Sequence, residues 1–231
     1  GGSTDRRPRS RAMAQEKKGL MTSRFPLIIL AFLGPSLAIA ASPTITSLLI
    51  YDRVAVEQGE IWRLFTCQFV HYSPSHLFWN LAVTVAVASL LEMERHIRWR
   101  APVAASLLLI GPALHILEPG MQLFCGLSGP ATTMTVCLCL SRFQNATEAK
   151  WVWATTLALL AGKVFIEFRV RSPLFATAKT IEFQVVPLAH LIGGAIGFFC
   201  LAGRRSLTAS RSSPKAAEDS RSPRLVGPRM N

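Results

Sequence analysis

The stretch FCGLSGPATT, Phe124–Thr133, sets a serine between two glycines at the head of an apolar run. A buried hydroxyl without a partner costs free energy. Ser128 is therefore either a small filler at a helix contact or a reagent, and the surrounding chain decides which.

Half of the 231 residues are hydrophobic and only 16% are charged, and the basic charge gathers at the ends. Of 25 Lys and Arg, seven lie in residues 1–24 and seven in residues 204–231. The middle breaks into runs near the ~20 residues that a spanning helix needs. A net charge of +12 raises nucleic acid as a partner. Here the Lys and Arg flank apolar spans, where they fix topology, so the expected surroundings are the lipid bilayer and no nucleic acid. STDRRPRSR and SRSSPKAAEDSRSPR are rich in Ser, Pro and Arg and cannot build a core. The expected organisation is a basic disordered tail (1–24), a membrane domain (25–203) and a second basic disordered tail (204–231).

Six spans are predicted: Phe25–Leu48, Ser75–Met93, Ala101–Leu117, Ser128–Leu140, Trp151–Phe168 and Val185–Leu201. Both tails, the ERHIRWR loop, Arg142 and Lys150 then fall on one side, which the positive-inside rule makes cytoplasmic. Ser128 opens the fourth span on the opposite, outer side. The first apolar run also resembles a signal peptide ending in A-x-A, but its apolar character continues through Ile50, which favours an uncleaved span. Between the first two spans, Trp62, Phe65, Phe69 and Tyr72 recur at helical spacing, as in a segment lying in the membrane interface. The five cysteines lack metal-ligand spacing; Cys67 and Cys125 fall outside the spans, where an oxidising compartment would allow them to pair.

Three spans carry polar groups at depth. His76 and Asn80 share one face of the second, at i and i+4. Ser128 heads the fourth, and His190 sits inside the sixth, in LAHLIGGAIGF. Ionisable groups inside spans are costly and commonly functional. Their chemistry is complementary: a histidine base activates a serine hydroxyl, and His76, Asn80 and the Ser128 N–H are donors suited to an oxyanion. Gly126 and Gly129 permit a tight turn and close approach. Gly193 and Gly197 form G-x-x-x-G, which allows the sixth helix to pack closely on a neighbour. Each signal alone is weak, since small residues and single membrane histidines usually serve helix contacts. Their joint occurrence in this order is much more specific.

GEIWRLFTCQFVHYSPSHLFWN, GLSG and AHLIGGAIG together resemble the rhomboid intramembrane serine proteases, over Gly59–Gly197. The resemblance implies a six-helix transmembrane bundle with an interfacial loop between helices 1 and 2. It implies Ser128 as nucleophile, His190 as general base, and His76 and Asn80 as oxyanion donors. Trp62 and Arg63 would belong to the loop that supports the fold. It further implies cleavage of transmembrane segments of other proteins near the outer face, without metal or cofactor, in a bacterial inner membrane. Lys163 and Glu167, at i,i+4 in the fifth span, allow an ion pair and look like the rhombosortase branch, which trims C-terminal sorting tails. Thr132 stands where the family often has an aromatic ring or His. Two other classes compete. A non-catalytic rhomboid-like binder of client helices would lack the Ser–His pair, and a transporter would be expected to show an inverted repeat, which this sequence does not.

Overall fold

The computed structural model describes residues 30–93, 99–145, 149–170 and 186–212. The expected tail 1–24, most of the expected tail 204–231, and Arg95 and Arg98 lie outside these residues.

The first expected span is broken. Helix α1 (Leu30–Ala40) and helix α2 (Pro43–Leu49) meet at 116°, so Phe25–Leu48 is not one straight helix. The cause is local. Ser42 is extended and caps α2 by accepting from Ile45 N, and Pro43 follows at the first helical position. A residue before proline avoids the helical region, so the chain stops and restarts there.

Instead of one amphipathic helix, the next segment forms short pieces: β1 (Tyr51–Asp52), α3 (Arg53–Glu57), α4 (Arg63–Thr66) and a 3-10 turn (Cys67–Phe69). Its polar side chains serve the open carbonyls at the end of α2. Arg63 donates to Ser47 O at 2.6 Å and Ile50 O at 2.8 Å, Trp62 Nε1 to Leu48 O at 3.2 Å, and Thr66 Oγ1 to Leu49 O at 2.8 Å. The last carbonyls of a helix have no partner within it, and no water replaces one in a hydrocarbon layer. Arg63 is accordingly buried and also paired with Glu60 at 2.6 Å.

Four longer helices follow the loop: α5 (Pro74–Met93), α6 (Arg100–Leu117), α7 (Ser128–Asn145) and α8 (Lys150–Val170). α9 (Pro187–Ser212) closes the described chain; its apolar part is Pro187–Leu201, and it runs into the segment expected to be a disordered tail. No proline interrupts it before Pro214. α5, α6 and α8 are long and apolar enough to cross a membrane, and the bent α1–α2 pair makes a fourth if it counts as one span.

α7 is less apolar because it touches protein rather than lipid. Leu127–Met134 is buried except for half-buried Ser128, and so is Val136–Cys139. Its threonines return their hydroxyls to the helix: Thr132 to Ser128 O and Thr135 to Ala131 O, both at 2.8 Å. Small residues at such a helix let its neighbours approach. α8 is the opposite case, with only Val164 and Glu167 buried.

The loop is also sewn to the far side of the bundle. β1 pairs antiparallel with β2 (Leu123–Phe124), Tyr51 opposite Phe124. Arg53 donates to the carbonyls of His115, Glu118 and Met121 at 2.8–2.9 Å, closing the end of α6. A side chain at Gly111 of α6 would collide with Leu64 O of α4. Arg63→Ala should leave the part-buried Ser47 and Ile50 carbonyls without their donor, and Glu60 without its ion-pair partner, and lower stability by about 1–3 kcal/mol. Thermal unfolding in detergent measures this, and an unchanged midpoint would contradict the carbonyl-capping role.

Candidate active site

The Gly-Leu-Ser-Gly turn is held from three directions. β2 precedes it and is fixed by β1. Gly126 N donates to Cys67 O at 3.1 Å, tying it to the loop. On the α5 side, a Cβ built on Gly126 would stand 2.8 Å from His76 Cε1 and 2.9 Å from its Nε2. Gly126 also has φ +122, in the range that favours glycine.

His76 stands in the first turn of α5, which Ser73 caps by accepting from His76 N at 3.1 Å. Tyr72 N donates to His76 Nδ1 at 3.4 Å. An accepting Nδ1 places the ring proton on Nε2, the nitrogen beside the turn. One helical turn on, Asn80 Nδ2 donates to His76 O at 2.9 Å and would lie 3.9 Å from the Gly126 Cβ. His71, which the sequence reading did not single out, meets His76 edge-on with ring centroids 5.1 Å apart. Burial, with His76 second, pushes the His71 imidazole down to about 3, so it is neutral at physiological pH.

On the other side, α7 and α9 approach at backbone contact. A Cβ at Gly129 would be 3.2 Å from Ala189 O, and one at Gly193 would collide with Gly129 O. One turn along, a Cβ at Gly197 would be 2.9 Å from Thr133 O, and Thr133 Oγ1 donates to Gly193 O at 2.8 Å. Ser128 and His190 are the chain neighbours of Gly129 and Ala189, the residues in contact at the mouth of this seam. Thr132 faces α9 as well, its methyl 3.8 Å from where a Gly194 Cβ would be.

The buried His190 ring meets α8. Its Nδ1 lies 3.3 Å from Glu167 Oε2 and its Nε2 3.5 Å from Lys163 Nζ. Lys163 Nζ is 2.7 Å from both Glu167 oxygens, so the i,i+4 residues form an ion pair that extends to His190. No signal in the sequence linked Glu167 to His190. Cys67 and Cys125 carry free, buried thiols, so the pairing raised from the sequence does not occur here. Burial raises both thiol pKa values and keeps them protonated. Among the described residues no cluster of three His, Cys, Asp or Glu is arranged to hold a metal ion.

The rhomboid domain family matches residues 58–205, which spans the loop, the turn and the α7–α9 seam. The chain belongs to the rhomboid family. This family is one of intramembrane serine proteases that act on transmembrane segments, and some members are inactive. No curated protein matches the chain. With its apolar helices, this rhomboid chain is a multi-pass integral membrane protein.

The glycine seam gives a paired prediction. Gly193→Ala should force α7 and α9 apart and lower the unfolding midpoint sharply. Gly194→Ala meets nothing closer than 3.8 Å and should be neutral, or stabilising by up to about 1 kcal/mol. Equal effects at the two positions would contradict the seam.

Proposed function

We propose that this rhomboid chain is an active intramembrane serine endopeptidase with a Ser128–His190 dyad. The observation that carries the reading is the clasp around Ser128: Gly126 against His76 Nε2 on one side and Gly129 against Ala189 O on the other. In this reading His190 Nε2 removes the Ser128 hydroxyl proton as Oγ attacks the scissile carbonyl. The Oγ–C bond forms, and His190 returns the proton to the leaving amine. The C–N bond breaks to leave an acyl-enzyme; His190 then takes a proton from water, whose oxygen attacks the acyl carbon, and the Oγ–C bond breaks as the proton returns to Ser128 Oγ, freeing the carboxylate product. His76 Nε2–H, Asn80 Nδ2 and the Ser128 N–H hold the developing oxyanion. Trp62 and Arg63 act indirectly, by fixing the loop that holds the turn.

The wider setting belongs to the same proposal: six spans, both basic tails cytoplasmic, Ser128 near the outer face of a bacterial inner membrane, and transmembrane segments of other proteins as substrates. No cofactor is required. A C-terminal sorting tail, the substrate of the rhombosortase branch, is the narrower form of this reading, and Lys163 and Glu167 are its mark in the sequence.

In proteoliposomes, a fluorophosphonate should label wild-type protein at Ser128, and the protein should cleave a transmembrane reporter. Ser128→Ala should abolish both, and His190→Ala should slow both by at least about a thousandfold. Labelling elsewhere, or no labelling of folded protein, would favour a non-catalytic binder of client helices. Reporter fusions after Glu118 should read external and those after Arg205 cytoplasmic; an external tail would overturn the proposed orientation.

A further inference from the structure

We infer that Glu167, held by Lys163, is a positioning residue that fixes the tautomer and orientation of His190; the inference rests on the dyad proposed above. The His190 ring is buried, and Nδ1 forms no completed hydrogen bond. A buried donor left unpaired is costly. Glu167 Oε2 stands 3.3 Å from Nδ1, in ion-pair range, and a small ring rotation completes an Nδ1–H···Oε2 bond.

The other ring nitrogen agrees. Lys163 Nζ is 3.5 Å from Nε2, and an ammonium can only donate. Nε2 therefore presents a lone pair and Nδ1 carries the proton. Two contacts from one helix thus select the same tautomer; the Nε2 lone pair that faces Lys163 is the one a base needs, so Lys163 yields it when Ser128 donates its proton. In this arrangement a carboxylate orients the imidazole from behind and does not itself take the proton.

Glu167 is suited to the task because Lys163 holds its carboxylate in place beside the His190 ring. Lys163 Nζ bridges both carboxylate oxygens at 2.7 Å. α8 is otherwise mostly exposed, with Val164 and Glu167 as its buried residues.

Glu167→Gln alone leaves Lys163 unpaired and risks misfolding, so the test adds the neutral pair Lys163→Met/Glu167→Gln and the conservative Glu167→Asp. With 15N-histidine labelling, assigned through loss of the His190→Gln signals, wild-type His190 should be protonated at Nδ1. The neutral pair should shift protonation to Nε2 or to a mixture. The neutral pair should also label with fluorophosphonate at Ser128 at least about tenfold slower and lower kcat with KM little changed, and Glu167→Asp should recover part of the rate. A folded neutral pair labelling at the wild-type rate would overturn the role of Glu167 and leave the dyad standing, whereas an Nε2-protonated wild-type ring would overturn both that role and the assignment of Nε2 as the base. Wild-type protein that never labels would overturn the dyad itself, whereas the tautomer measurement tests the Glu167–His190 contact independently of labelling.

Discussion

The backbone contact between Gly129 and Gly193 is the constraint on which the rest depends. A single methyl group at Gly193 has no room beside Gly129 O. Because α7 and α9 touch there, the turn that carries Ser128 and the helix that carries His190 meet at one point. Thr133 reinforces the contact by donating to Gly193 O at 2.8 Å. A wider residue on either side would separate the helices and move the Ser128 turn away from the helix that carries His190.

A seam of this kind needs its open end braced, and the loop before α5 provides the brace. A nonhelical segment beside open helix ends leaves backbone carbonyls that need partners. Arg63, Trp62 and Thr66 take up the carbonyls at the end of α2, and Arg53 those at the end of α6. β1 then pairs with β2, just ahead of the Gly-Leu-Ser-Gly turn. The loop's polar residues thus close helix ends and position the turn in the same stroke.

Where charged or polar residues bracketed an apolar run, the sequence was legible: α5 and α6 begin within one residue of expectation, and both end where expected. The break between α1 and α2 was missed because hydrophobicity continues across Ser42-Pro43, and apolar content does not report direction. α7 outran its expected end at Leu140 because Ser141, Arg142 and Gln144 look like a loop, although the last turn of a helix tolerates polar residues. His76, Asn80, Ser128 and His190 stood out because polar groups are rare at depth. The contact from Glu167 to His190 was invisible, since it crosses helices and leaves no spacing pattern. Arg53 and Arg63 act through hydrogen bonds to carbonyls distant in sequence, which no spacing pattern reports.

The central claim is that the seam delivers His190 to Ser128 while His76 and Asn80 face the same reacting atom. The most direct measurement is an experimental structure of the protein after reaction with a fluorophosphonate. The account predicts phosphorus bonded to Ser128 Oγ, the His190 Nε2 within about 3.5 Å of that oxygen, and the phosphonyl oxygen directed at His76 Nε2. A structure of folded protein with the adduct on another residue, or with His190 more than about 6 Å from Ser128 Oγ, would contradict it.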